Sequence, residues 1–266
     1  MFGSVDEVET TTNYAEPMIS TILSSLRGSP LGEALLVLVC LAATGCSKPA
    51  TTYAYRLTLE VQTPEGLRKG ESTIQIKTSV TTPPMPYAGM ASHDVAGEAV
   101  VVDLGIRGKL FALFRQGDKG GFTSEYDWSP DLLSQLAPKI EPAEGESAHE
   151  TQARALASLP GVHTLWPSQK NRPARQTLPL LVRFDNLRNP WTVRQVSYDN
   201  LASSFGPGVH LRRMTAEVVQ ADPVFRLRAV LPWLRDRADA FIVGPDKTRA
   251  NPTFPESLRV RDFVHD

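Results

Sequence analysis

The clearest pattern along the chain is an alternation of apolar and polar residues over positions 53–62. One side of this segment is wholly apolar and consists of Tyr53, Tyr55, Leu57, Leu59 and Val61. A period of two residues is typical of a β-strand with one buried face. Turn-forming Pro64, Glu65 and Gly66 follow, and a second alternating run contains Ile74 and Ile76. Since Pro and Gly favour tight turns, the pattern predicts an antiparallel hairpin.

Further apolar runs of strand length follow this hairpin. They span residues 98–104, 110–114, 178–184, 191–196 and 209–219. Most are rich in β-branched or aromatic residues and are bounded by Gly, Pro, Asn or Asp, as expected of strands. Four predicted strands fall within residues 53–115, and their connections are short enough to predict an antiparallel meander.

Helix signals are few and short. Ser129 and Pro130 are residue types preferred at an N-cap and at the first helical position. Ser147 and Glu150 have the spacing of a capping box before a short apolar run. Residues 199–205 fit one or two helical turns. The pattern therefore predicts an α+β fold, mainly antiparallel β, with a meander or sandwich-like sheet and a few short helices.

The chain changes character twice along its length. Residues 53–235 contain the predicted strands and helices and form the expected β-rich body. Residues 236–266 are polar and interrupted by proline, so we predict a loosely ordered tail. Residues 1–52 are a separate case, because their only long apolar run lies at 34–43.

This apolar run has ten residues, about half the roughly 20 that a membrane-spanning helix needs. Its length matches the core of a secretory signal. Small residues follow and end at Gly45 and Cys46, an arrangement that resembles the lipobox of bacterial lipoproteins. The resemblance implies cleavage between Gly45 and Cys46 and lipidation of Cys46. A buried core helix is the alternative for residues 34–43.

The lipobox sets the expected domain boundaries and location. Residues 1–45 become a signal peptide, and residues 46–52 a lipidated tether. Residues 1–17 are acidic, so Met18 is an alternative start. Acyl chains on Cys46 would make the membrane a partner of this protein and place the body in the bacterial cell envelope, facing the periplasm. Ser47 follows the cysteine, which in enteric bacteria favours the outer membrane.

Composition limits the remaining choices. The chain has two cysteines, Cys40 and Cys46, so the processed protein would have no disulfide. Removal of residues 1–45 takes away one Arg and five acids, and the net charge becomes about +3. A nucleic-acid-binding domain is usually far more basic, so no nucleic-acid partner is expected.

A basic segment is the main charge asymmetry. Residues 151–184 contain no acid, and an acidic block with Glu146 precedes them. Lys170, Arg172 and Arg175 are candidates for contact with anionic lipid at the membrane surface. A solvated loop, or pairing with the acidic block, is the favoured alternative.

Motifs for catalysis and metal binding are incomplete. His149 and Glu150 begin a His-Glu-x-x-His zinc motif, but Ala153 stands where the second histidine is needed. Ser92, His93 and Asp94 include the residue types of a hydrolase triad, yet neighbours in an extended segment point in different directions. We therefore predict no catalytic residue, no metal and no cofactor.

Three blocks support a wider resemblance. These are 55–66 (YRLTLEVQTPEG), 97–104 (GEAVVVDL) and 199–209 (DNLASSFGPGV). They resemble an uncharacterised family of proteobacterial lipoproteins. The resemblance implies a lipid-anchored body. Because the family is uncharacterised, it identifies no catalytic residue in this chain.

Taken together, the sequence predicts a membrane-anchored envelope lipoprotein acting as a non-catalytic binding or structural module, with an envelope protein or anionic lipid as its partner. One alternative is an exported hydrolase assembled only by folding, with Asp103, His93 and Glu98 as candidates. The other is a lipid or ligand carrier, which would need a deep apolar cavity.

Overall fold

The computed structural model describes residues 50–81, 91–116, 133, 136–167, 178–235, 240–244, 246, 248 and 253–266. The chain divides into two units, Met1–Ser47 and Lys48–Asp266, and the described residues belong to the second. Several predicted features lie outside the described residues: the signal peptide, the cleavage and lipidation site at Gly45 and Cys46, the helix start at Ser129, and the basic residues Lys170, Arg172 and Arg175.

The described residues form ten strands. They are β1 (Thr51–Thr63), β2 (Gly66–Val80), β3 (Ala91–Glu98), β4 (Val100–Asp103), β5 (Lys109–Gln116), β6 (Val162–Trp166), β7 (Pro179–Phe184), β8 (Val193–Gln195), β9 (His210–Val219) and β10 (Val264–His265). The α-helices are α1 (Ala148–Ala157), α2 (Ala202–Phe205), α3 (Leu227–Val230) and α4 (Phe254–Ser257). Every strand pair is antiparallel. The predicted fold class is confirmed.

The strands are arranged in two sheets. The first has the order β10-β3-β2-β1-β9-β6, and the second has the order β4-β5-β7-β8. Strands β1, β2 and β3 form an antiparallel meander, but of these only β1 and β2 belong to the predicted one. The strands predicted as its third and fourth, β4 and β5, lie in the second sheet, which the chain enters after the single residue Ala99. The run predicted as one strand at 98–104 is therefore divided between two sheets, and the architecture is sandwich-like.

The alternation in β1 produces the predicted buried face. Tyr55, Leu57, Leu59 and Val61 are fully buried in one core with side chains of β4, β5 and β9. The opposite face of β1 is more polar, and Glu60 accepts a hydrogen bond there from Arg213 of β9 at 2.7 Å. A half-buried strand needs only one apolar face, which is why its period of two was readable in the sequence.

The second sheet is buried on both faces. Leu110, Ala112 and Phe114 of β5 face the core shared with the first sheet, whereas Phe111 and Leu113 belong to a second core. The second core is completed by residues from the C-terminal part of the chain. Because both faces are covered, β5 reads as a continuous apolar run instead of an alternating one.

The C-terminal segment corrects the expectation of a loosely ordered tail. Leu258, Val260 and Phe263 are buried in the second core, and Val264 pairs with Glu98 as part of β10. Arg115 of β5 also donates a hydrogen bond to the Ser257 carbonyl at 2.6 Å. The apolar residues are separated by prolines and charges without a regular period, so the sequence pattern concealed their burial.

Other local predictions had mixed outcomes. Strands β3 and β6 were not predicted, because exposed and half-buried residues dominate both. The strand predicted at 191–196 is reduced to β8, since Pro190–Thr192 forms a 3-10 turn. The capping box is confirmed at α1, where Ser147 Oγ accepts from Glu150 N and Glu150 accepts from Ser147 N.

Within the described part of the chain, no helix combines the length and apolarity that a membrane crossing requires.

Candidate binding surface

Three loops meet beyond the C-terminal end of β1. They are the β1–β2 turn at residues 63–66, the β4–β5 connection at 104–108, and the α2–β9 connection at 205–208. We call these residues the distal loop cluster. The first strand has 13 residues, so the cluster lies roughly 40 Å along β1 from Thr51.

Arg107 joins the three loops. Its Nη2 donates to Glu65 Oε1 at 2.8 Å and its Nε to Glu65 Oε2 at 3.1 Å. Its Nη1 donates to the Phe205 carbonyl at 2.9 Å. The planar guanidinium matches a carboxylate in this two-pronged geometry and fixes direction as well as distance. One side chain therefore holds the turns before β2, before β5 and before β9 in a single arrangement.

Two glycines permit this close approach. A Cβ atom at Gly206 would lie 2.7 Å from Arg107 Nη1, and one at Gly208 would lie 3.0 Å from Pro64 Cγ. Both residues also have positive φ angles, 95° and 78°, which glycine adopts without steric cost. The run Gly206-Pro207-Gly208 is thus explained by contact with the other two loops.

The cluster presents an aliphatic side chain to solvent. Ile106 is 98% exposed, on a 3-10 turn between Gly105 and Arg107. Next to it, Asp103 accepts a hydrogen bond from Gly105 N at 2.9 Å and forms an ion pair with Lys109. An exposed apolar residue on a well-fixed turn can enter a pocket on a partner with little loss of conformational entropy.

The carboxylates of the cluster are poorly suited to proton transfer. The hydrogen bond from Arg107 lowers the pKa of Glu65 to about 2. The hydrogen bond from Lys109, together with that from Gly105 N, lowers the pKa of Asp103 below its usual value. A carboxylate whose pKa is lowered is a weak general base at neutral pH. Glu65 and Asp103 are therefore unsuited to act as general bases.

Comparisons with protein-family models, with curated proteins and with solved structures find no match for this chain. The resemblance to proteobacterial lipoproteins remains a prediction.

The residues considered for a hydrolase do not converge. His93 and Glu98 are five positions apart on β3, roughly 16 Å in extended backbone. Glu98 accepts from the backbone N–H groups of Arg226 and Leu227, each at 2.6 Å, and burial raises its pKa. Asp103 is engaged with Lys109 in the distal loop cluster. Each candidate has its own structural partners, so the predicted constellation is not assembled.

The described parts of the basic segment favour pairing within the protein. Arg154 donates to both carboxylate oxygens of Glu146, at 3.0 and 2.8 Å, and this lowers the pKa of Glu146 to about 2. Arg183 lies 3.3 Å from Asp185. The alternative of pairing with the acidic block is therefore observed for Arg154, while contact of Lys170, Arg172 and Arg175 with anionic lipid stays a prediction.

A cleft of about 310 Å³ lies near the start of β1, and Thr52, Gln75 and Asp222 contribute to its lining. It is distinct from the space between the two sheets, which is occupied by the buried side chains of the first core. Among the described residues, no group of three His, Cys, Asp or Glu side chains is placed to hold a metal ion.

Sequence reasoning found the turn at residues 105–108 but not the role of its side chains. Ile106 is an aliphatic residue between two glycines in a turn, where a polar residue is more usual. An aliphatic residue at a turn position where a polar one is usual was the sequence signal for an exposed apolar contact. The link from Arg107 to Glu65 and Phe205 spans 42 and 98 positions and leaves no local pattern.

Proposed function

We propose that this protein is a lipid-anchored bacterial envelope protein that acts as a non-catalytic binding module. Its anchor is Cys46, and its binding surface is the distal loop cluster. The observation that supports the anchor most directly is the ten-residue apolar run that ends in small residues before Cys46.

The tether is short compared with the body. Cys46 precedes Thr51, the first residue of β1, by five positions, which extend to at most about 18 Å. The start of β1 is then kept close to the bilayer. The distal loop cluster lies at the other end of the same strand, where it is accessible to a partner in the periplasm.

The charges of the cluster define the kind of partner. Glu65 and Asp103 are already paired with Arg107 and Lys109, so binding does not have to neutralise them. Ile106 offers the apolar contact. A protein with a small apolar pocket and a polar rim fits these features, because interface centres are apolar and their rims are polar.

Two alternatives receive less support. A hydrolase that uses Asp103, His93 and Glu98 is disfavoured because the three residues lie apart. A lipid carrier with a cavity between the sheets is disfavoured because Tyr55, Leu57 and Ile76 fill that space in the described body.

The anchor is tested by lipid labelling and detergent partitioning. We expect the wild-type protein to incorporate a clickable palmitate analogue and to enter the Triton X-114 phase. Cys46→Ala should lose both properties, whereas Cys40→Ala, a cysteine inside the predicted signal, should keep them. Equal partitioning of the wild type and Cys46→Ala would overturn the anchor.

The binding surface is tested by photo-crosslinking in living cells. A photoreactive residue at position 106 should give a discrete crosslinked protein band. The same residue at Val162, which is 60% exposed on β6, is the matched control. Identical crosslinks at both positions, or none at position 106, would contradict a binding role for the distal loop cluster.

A further inference from the structure

A fourth turn lies at the same edge of the molecule as the distal loop cluster. It connects β7 to β8 and spans residues 185–192. In the antiparallel pair of β5 and β7, Leu110 is opposite Arg183, so the end of β7 lies beside the start of β5. The Arg183 guanidinium also lies 5.1 Å from the centre of the Phe205 ring, in the α2–β9 connection. The β7–β8 turn therefore borders the distal loop cluster.

The β7–β8 turn is held by its own polar side chains. Asn189 Oδ1 accepts from Trp191 N at 3.0 Å, and Asn186 Oδ1 accepts from Arg188 N at 2.9 Å. The Thr192 hydroxyl donates to the Asn189 carbonyl at 2.8 Å and accepts from Asn186 N at 3.0 Å. These bonds fix the backbone of the turn, so a partner does not have to order it on binding.

The turn exposes a tryptophan. Trp191 is 52% exposed, although side chains of this size and apolarity are mostly buried in folded proteins. Tryptophan is enriched among the residues that contribute most to the free energy of protein–protein binding. Trp191 is therefore a second candidate anchor at this edge, beside Ile106.

Basic side chains are in excess at this edge. Residues 63–68, 103–109, 183–194 and 205–208 contain six bases and three acids, a net charge of +3. The bases are Arg68, Arg107, Lys109, Arg183, Arg188 and Arg194, and the acids are Glu65, Asp103 and Asp185. Each acid already lies in an ion pair, and Asp185 pairs with two arginines. Residues 46–266 as a whole also carry about +3, so the excess positive charge is concentrated here.

Two of these arginines form no ion pair within the described part of the chain. Arg68 is exposed, and its Nη2 lies 4.0 Å from the position of a Cβ atom at Gly105, beside the turn that carries Ile106. Arg188 is exposed on the β7–β8 turn, three positions before Trp191. Each unpaired charge thus accompanies one of the two exposed apolar side chains.

We propose that Ile106 and Trp191 are two anchors of one interaction surface, and that Arg68 and Arg188 select a partner protein with acidic residues around its apolar pockets. This inference rests on the proposed function, whose binding surface it extends to the β7–β8 turn. Charge complementarity supports it, because unpaired arginines attract a surface of carboxylates and repel a basic one. The guanidinium group also binds a carboxylate with two parallel hydrogen bonds, which fixes orientation.

The carboxylates at this edge favour a protein over an anionic bilayer. Glu65, Asp103 and Asp185 lie among the arginines. A continuous layer of lipid phosphates would face these carboxylates as well as the basic groups, and like charges repel. A folded partner can place its acids opposite Arg68 and Arg188 alone, so a protein fits the arrangement of charges better.

The test uses photo-crosslinking of the full chain in living cells, with the photoreactive residue at position 106 or at position 191. We expect both positions to capture the same protein band. With the probe at position 106, Arg68→Glu combined with Arg188→Glu should lower the crosslinked yield roughly tenfold, because both changes repel an acidic surface. Lys77→Glu combined with Lys139→Glu is the control, since it changes the net charge equally at two exposed bases outside the four turns.

The apolar anchor is tested in the same way. Trp191→Ala should lower the crosslinked yield at position 106 roughly tenfold. Phe225→Ala is the matched control and should leave the yield unchanged, since Phe225 is 45% exposed and lies outside the four turns. Circular dichroism of the purified variants checks that each keeps the wild-type fold.

The outcomes separate this inference from the proposed function. No crosslink at position 106 in the wild type would overturn both. A crosslink at position 106 that persists in the folded double arginine variant or in Trp191→Ala would overturn this inference alone. Different protein bands at the two positions, or a lipid adduct found by mass spectrometry in place of the protein band, would also overturn it.

Discussion

At Gly70 the backbone of β2 meets the backbone of β4. A Cβ atom at this position would lie 2.1 Å from the Val101 carbonyl oxygen and 2.7 Å from its carbonyl carbon. These are main-chain atoms, which cannot move aside as the end of a flexible side chain would. The absence of a side chain at residue 70 is therefore what allows β4 to cross β2.

Gly70→Ala should destabilise the protein by roughly 2–4 kcal/mol, because the added methyl group forces the two backbones apart. Gly244→Ala is the matched control, since a Cβ atom there has no neighbour within 4 Å. Urea denaturation of both variants measures the difference. Equal stability of the two would show that β4 does not approach β2 as described.

At the scale of elements, short helices depend on polar groups at their ends. The N-cap of α1 is a reciprocal capping box, in which Ser147 Oγ accepts from Glu150 N at 3.2 Å. The same helix carries His149 and contacts β1 and β2. Its start was predictable because capping requires particular residue types at a fixed spacing.

Ser147→Ala should cost about 1 kcal/mol of stability, since it leaves a backbone N–H of the first turn without its cap. Ser158→Ala, at the C-cap of the same helix, is the control and should cost less. The comparison is made by thermal unfolding followed by circular dichroism. A larger loss for Ser158→Ala would contradict the capping assignment.

Glu98 links the end of β3 to the start of α3 through the N–H groups of Arg226 and Leu227. Burial raises its pKa, and the nearby N–H donors and arginines only partly oppose this effect. The folded state then binds a proton more tightly than the unfolded state does. This contribution to stability is fully present at low pH and is lost as pH rises through the raised pKa.

The Glu98→Gln variant tests this sign, because glutamine keeps an acceptor oxygen but does not ionise. As pH falls from about 7 to about 5, the wild type should gain stability relative to Glu98→Gln. Urea denaturation of both proteins at the two pH values gives the double difference. A relative gain for Glu98→Gln at the lower pH would reverse the assigned direction.

At the scale of the whole molecule, the body has three layers. The four-stranded sheet lies between the six-stranded sheet and the C-terminal segments. Phe263 anchors the third layer, with ring contacts to Trp233 at 5.4 Å and to Phe184 at 6.1 Å between centroids. Leu258, Val260 and Phe263, in the described part of the C-terminal segment, therefore belong to the folded core.

Phe263→Ala should destabilise the protein by about 3–5 kcal/mol, because it leaves a cavity in a closely packed core. Phe225→Ala is the matched control, since Phe225 is 45% exposed while Phe263 is fully buried. Guanidinium denaturation distinguishes them. Similar small losses for both variants would restore the expectation of a loosely ordered tail.

The local pattern of the sequence determined the strand β1 and its buried face, the first hairpin, the cap of α1 and the mainly antiparallel class. Each of these depends on residues a few positions apart. A strand with one buried face must alternate, and a capped helix must place Ser and Glu three residues apart.

Only the tertiary structure decided the division of 98–104 between two sheets, the burial of Phe263 and the joining of three loops by Arg107. Each of these features depends on residues that are far apart in the sequence. The hydrogen bond from Arg107 to the Phe205 carbonyl, for example, joins residues 98 positions apart. Such pairings are selected by the packing of whole sheets, and packing of that range leaves no period in the sequence.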